Sequence, residues 1–142
     1  MAEDVLGGVF ELCAFAPSSR NRQPCSFVTI RRAELLGELA AVRGESSAPI
    51  GRAPLAVAVI VDTARAGRPA DDGAITATCL LFAARAHGLG TCWIADMDRL
   101  AVRAALGIGE TERIVMITPL GYPDEDPPIP PRRPPVVRVA PA

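Results

Sequence analysis

Aromatic side chains are scarce in this chain: they make up 4% of it, with a single Trp and a single Tyr. Any core must then be built from Ala, Val, Leu and Ile, and a hydrophobic fraction of 49% supplies enough of them for a packed globule. Lysine is absent. All 15 basic residues are arginine, which reflects base composition and not mechanism. These arginines are scattered, no basic stripe carries interleaved aromatics, and the net charge is −1, so nucleic-acid binding is not expected. Histidine occurs once, as His87, and the 4 cysteines (Cys13, Cys25, Cys79 and Cys92) form no C-x-x-C pair. No metal site is expected, and the cysteines read as buried free thiols. Long apolar runs are also missing. The longest, Leu55 to Val61, is far too short to cross a bilayer. Glu3 and Asp4 stand near the start without a basic cluster, which does not read as a signal peptide. A cytoplasmic protein with no membrane role is the expectation.

What is present fits one domain. The 142 residues suffice for a sizeable core. Val5, Val9, Leu12 and Ala16 recur at helical spacing until Pro17, with Gly7 and Gly8 as weak points. A polar loop runs to Pro24, and Ser26 to Ile30 reads as a strand. Glu34 to Val42 reads as a helix, Arg43 to Pro54 as loop, and Leu55 to Val61 as a central strand. Asp71 and Asp72 open the clearest helix, either one able to cap it, with Ile75, Cys79, Phe82 and Ala86 as its expected buried stripe and Gly88 as its stop. His87 in the last turn suits dipole compensation better than catalysis. Gly90 to Ala95 reads as a strand, Asp98 to Leu106 as a short helix, and Ile114 to Ile117 as the last strand. Residues 1–126 form the expected domain, and 127–142 are a proline-rich tail too extended to build a core. On pattern alone, strands alternating with helices suggest a doubly wound parallel sheet.

Three segments, in order, carry a resemblance that points elsewhere. The first is Ala16-Pro17-Ser18-Ser19-Arg20-Asn21-Arg22-Gln23-Pro24, between the first helix and the first strand. The second runs from Asp72-Gly73 through His87-Gly88-Leu89-Gly90-Thr91-Cys92-Trp93-Ile94 to Asp98, and the third joins Leu120-Gly121-Tyr122-Pro123 to Pro130-Pro131-Arg132-Arg133-Pro134. Each alone has an ordinary reading, as a helix exit, a helix stop or a tail. Gly88 and Gly90 make no dinucleotide fingerprint, because Trp93 stands where the third glycine belongs. Together they resemble the nitroreductase-like flavin oxidoreductases, with Cys25 where that family usually has tryptophan. The resemblance implies an α+β, three-layer fold with a central mixed, mostly antiparallel sheet flanked by helices.

It also implies FMN at a dimer interface. Pro17, Ser18, Ser19, Asn21 and Gln23 would lie against the ring of the partner subunit's flavin. Ile94, Ala95 and Asp96 match the stretch whose backbone approaches the flavin N5 atom, and Arg133, with Arg132, matches the tail cation that pairs with the phosphate; in the family one subunit supplies the phosphate clamp and the other lends the loop to the ring. NAD(P)H would deliver hydride, and a small electron-poor acceptor such as a nitroaromatic or quinone would take it; no acid-base residue is required. The tail from Pro127 to Pro135 would wrap the partner of a homodimer, with docking into an aromatic groove as the rival reading. The family's R-R-S-x-R phosphate arm belongs upstream of where this chain starts, which leaves three readings open. The start could lie further upstream, Arg20 or Arg22 could help to hold flavin, or the chain could be a flavin-free structural subunit. Asp96 stands where the family commonly has glycine. It would either lower the flavin potential or simply cap the next helix.

Overall fold

The computed structural model describes residues 3–140; residues 1–2 and 141–142, the outer ends of the expected domain and tail, lie outside them. Nine elements follow one another: α1 (Glu3–Cys13), β1 (Cys25–Ile30), α2 (Ala33–Ala41), α3 (Pro49–Arg52), β2 (Leu55–Asp62), α4 (Pro69–Ala86), β3 (Gly90–Thr91), α5 (Leu100–Leu106) and β4 (Glu112–Gly121). The sheet has the order β1-β2-β4-β3. All its pairings are antiparallel among the described residues. The doubly wound parallel sheet suggested by pattern alone is therefore not the fold. The chain forms the α+β, three-layer architecture that the resemblance implies.

Alternation along β2 explains the layers. Leu55, Val57 and Val59 face α1 and α4, while Ala56, Ala58 and Ile60 face the layer of α2, α3 and α5. Side chains on a strand point to opposite faces in turn, so a continuous apolar run serves two cores at once. The pairing of β2 with β4 slips between Val59 and Ile60, leaving Val115 without a partner. Such a bulge turns successive residues towards one face. Val115 accordingly packs on the α1/α4 side together with Met116. Gly73 accommodates it: a Cβ on Gly73 would lie 2.7 Å from a Val115 methyl. Gly73→Val should lower the unfolding free energy by about 1–3 kcal/mol through overpacking. Urea unfolding checks this, and an unchanged midpoint would contradict the account.

Several local expectations shift. Arg43 to Pro54 contains a 3-10 turn at Gly44–Ser46 and the short α3, whose Ile50 is fully buried. The third strand is only Gly90–Thr91, followed by a single bridge between Ile94 and Ile117. On α4 the expected stripe is on the wrong face. The buried residues are Asp72, Gly73, Thr76, Ala77, Leu80, Ala83 and Ala84; Phe82 is 73% exposed and Ile75 37%. Small residues on either side of buried Leu80 let the helix sit close to the sheet, while Ile75 and Phe82 point outward. α1 runs antiparallel along α4, with Gly8 under the ring of His87 at one end and Ser19 bonded to Asp72 at the other. Leu12 and Phe15 add to the exposed apolar surface of this layer. The segment from Tyr122 to Ala140 forms no helix or strand and is largely exposed.

Candidate functional site

Among the described residues four non-glycine positions adopt left-handed backbone: Arg20 (φ 54°), Asn21 (φ 53°), Gln23 (φ 49°) and Asp96 (φ 57°). All lie in the two segments expected to meet the cofactor ring. Left-handed conformations are unfavourable for residues with a Cβ and persist where surrounding contacts over-determine them. In the first segment the chain leaves α1 at Cys13 and turns through Ser19–Asn21. The Ser18 hydroxyl accepts the Gln23 amide at 2.9 Å, and the Gln23 side-chain amide donates to Asn21 Oδ1 at 2.9 Å. Asp72 supplies the anchor, its Oδ1 accepting the Ser19 amide at 2.7 Å. Neither Asp71 nor Asp72 is the N-cap of α4, a position held by Arg68 without a side-chain cap. Asp72 instead points inward, is 2% exposed, and leaves Oδ2 buried without a partner among the described residues.

Ser18 and Gln23 also line a cavity of about 330 Å³ with Phe10, Cys13, Cys25, Phe27 and Thr76. The Cys25 thiol donates to the Asp72 carbonyl at 3.6 Å. Burial raises the pKa of Cys25; a Thr76 hydrogen bond opposes this and the Asp72 charge reinforces it. Burial, with Cys79 adding to it, pushes the Cys13 thiol up to about 11. A thiol held protonated is a poor nucleophile, so Cys13 reads as a packing residue. Only Cys13 is fully buried. Cys25 and Cys79 are half-buried and Cys92 is exposed, although all are free thiols. Among the described residues no cluster suits a metal ion.

The second segment leaves the sheet after the Ile94 bridge and is pinned by buried Met97. Arg43 Nη1 donates to the Ala95 carbonyl at 2.8 Å, and Arg99 Nη2 donates to Asp96 Oδ2 at 2.9 Å. Asp96 does not cap the following helix. That helix starts at Leu100, its N-cap is Arg99, and the Asp96 carboxylate is committed to arginine. The amides of Ala95 and Asp96 donate to no group among the described residues. Arg132 and Arg133 lie in the exposed tail and form no ion pair among the described residues. Pro17, Asn21 and Gln23 are exposed, Ser18 and Ser19 half-exposed, and Ile94 is buried with its amide committed to the sheet. Sequence reasoning assigned no site role to Asp72, Arg43 or Arg99. An acidic residue before a small-residue helix face was the only signal for the first; the arginines had none.

These residues suit a flat heteroaromatic ring. Short hydroxyl and amide groups stand on one loop, and two unpaired backbone donors stand on the other. The Nitroreductase family profile matches residues 46–122, more than half of the chain, and the chain belongs to that family. An Archaeoglobus fulgidus protein assigned as an NADH dehydrogenase/NAD(P)H nitroreductase is 27% identical over 136 residues, covering 89% of this chain and 76% of its own. A nitroreductase family protein from Clostridium novyi superposes with a TM-score of 0.80 at 27% identity, covering 88% of this chain and 75% of that one. An FMN-dependent nitroreductase from Clostridium difficile gives 0.81 at 25% identity, covering 89% and 79%. No helix among the described residues is long and apolar enough to cross a membrane.

Proposed function

We propose that the protein is a dimeric, FMN-dependent oxidoreductase that passes hydride from NAD(P)H to a small electron-poor acceptor such as a nitroaromatic or quinone. The observation that carries this reading is the confinement of left-handed, non-glycine backbone, among the described residues, to Arg20, Asn21, Gln23 and Asp96. Strain of this kind collects where a chain must hold an unusual shape for a ligand. FMN, when bound, would supply the redox chemistry. The chain's own part is to orient and exclude water. Pro17, Ser18, Ser19, Asn21 and Gln23 would line the ring of the partner subunit's cofactor. The free amides of Ala95 and Asp96 would donate to the acceptor edge of a flavin ring, with Ile94 anchoring the strand behind them. Arg132 and Arg133 would reach the phosphate from a tail, residues 127–142, that wraps the partner, leaving residues 1–126 as the folded domain.

The exposed apolar surface of α1 and α4, with Leu12, Phe15, Ile75 and Phe82, supports a homodimer built on that layer. Family membership and the FMN-dependent nitroreductase relative support the cofactor. One observation favours a second reading, a flavin-free structural subunit: Arg132 and Arg133, the cations that the resemblance assigns to the phosphate, lie on an exposed tail. A flavin titration separates the two. Quenching of FMN fluorescence should saturate at one flavin per chain in a dimer by size exclusion, with NAD(P)H oxidation following. A dimer that takes up no FMN would favour the structural role.

A further inference from the structure

Around Asp96 five contacts converge from two different parts of the chain. Arg43, just beyond α2, donates through Nη1 to the Ala95 carbonyl at 2.8 Å and places Nε 3.6 Å from Asp96 Oδ2. Arg99, just before α5, donates to Asp96 Oδ2 at 2.9 Å and to the Asp96 carbonyl at 3.3 Å. The same Arg99 donates to the Val42 carbonyl at 3.2 Å, at the end of α2. The carboxylate is thus held between two guanidiniums, each of which also binds backbone. The rest of the segment after β3 is held on either side of Ala95 and Asp96: Asp98 Oδ1 accepts from Arg103 Nη1 at 2.8 Å and from the Ile114 amide at 3.3 Å, and Asp98 Oδ2 lies 3.7 Å from Arg113 Nε. Cys92 bonds the Thr118 hydroxyl, Ile94 exchanges two hydrogen bonds with Ile117, and Met97 is buried.

We propose that Arg43 and Arg99 are positioning residues that latch Asp96 in its left-handed conformation against the C-terminal end of α2. The latch presents the Ala95 and Asp96 amides in a fixed direction, and the group of Asp96, Arg43 and Arg99 carries one net positive charge. This rests on the assignment of that segment to the ring edge. The charge arithmetic is one carboxylate against two guanidiniums, the latter always protonated. A single exposed ion pair is weak, but bonds that tie two arginines to three carbonyls and one carboxylate restrict the segment from both sides. A latched carboxylate also differs from a free one: its negative charge is more than offset before any ligand arrives.

The test uses the full chain and three variants: Asp96→Asn, Arg43→Gln and Arg99→Gln. Asparagine tolerates left-handed backbone as aspartate does, so Asp96→Asn removes the charge without adding strain. In the ligand-free protein, exchange of the Cys92 and Ile94 amides should quicken about tenfold in each variant, with β2 unchanged. In the FMN-loaded protein the midpoint potential should rise in Asp96→Asn and fall in both arginine variants, and FMN should bind more weakly in all three. Unchanged exchange in Asp96→Asn and Arg99→Gln would overturn the latch. Faster exchange with unaltered potential and affinity would overturn the positioning role. Should the wild-type chain take up no flavin, the functional reading fails, and the exchange data still decide the latch.

Discussion

Phe82→Asp is expected to turn a dimer into a monomer and to abolish FMN uptake. Phe82 stands 73% exposed at the outer surface of α4, with Ile75, Leu12 and Phe15 on the same layer. In a two-fold dimer every substitution counts twice. Losing the burial of a phenyl side chain costs roughly 1.5–3 kcal/mol per site, and the new carboxylate adds a desolvation penalty. Together this weakens association by about two to four orders of magnitude. Sedimentation velocity reads the mass directly. The melting temperature should fall only as far as loss of the dimer requires, because the side chain contributes little to the core of one protomer. A variant that remains dimeric at micromolar concentration would remove the α1/α4 surface from consideration as the interface.

Asp72→Ala is expected to cost about 1–3 kcal/mol of stability and to loosen FMN binding by about tenfold. The Ser19 amide loses a charge-assisted acceptor at 2.7 Å, and this bond ties the left-handed loop to α4. Part of the loss is returned, because the substitution also removes a buried carboxylate oxygen with no partner among the described residues. Asp72→Asn keeps an acceptor for Ser19 and should bind FMN more tightly than the alanine variant. Urea unfolding and flavin titration, run side by side, check both parts. Identical FMN affinities for wild type and Asp72→Ala would show that the loop holds its shape without the anchor.

The candidate site could be proposed from the sequence because its residues are contiguous. Pro17, Ser18, Ser19, Asn21 and Gln23 stand on one loop between α1, which ends at Cys13 ahead of Pro17, and β1. Ile94, Ala95 and Asp96 follow a helix stop made by Gly88. The supports of those segments were not legible. Asp72 is separated from Ser19 by 53 positions, Arg43 from Ala95 by 52, and Arg99 from Val42 by 57. No local rule connects such pairs. The reading of Asp72 as a helix cap followed from its place near the start of α4 and missed its inward turn.

The sequence by itself determined the order and type of most elements, since apolar periodicity, proline and glycine act over a few residues. It also determined that β2 would be buried on both faces, because no polar residue interrupts Leu55 to Val61. Tertiary structure alone decided which face of α4 is buried. The helix carries apolar residues all round, and close approach to the sheet selects the small ones, Gly73, Ala77 and Ala84, over Ile75 and Phe82. It alone decided that every pairing among the described residues is antiparallel and that β4 bulges at Val115 into the space left by Gly73. It alone brought Asp72 to Ser19 and two arginines to Asp96, because these contacts exist only once the layers have packed.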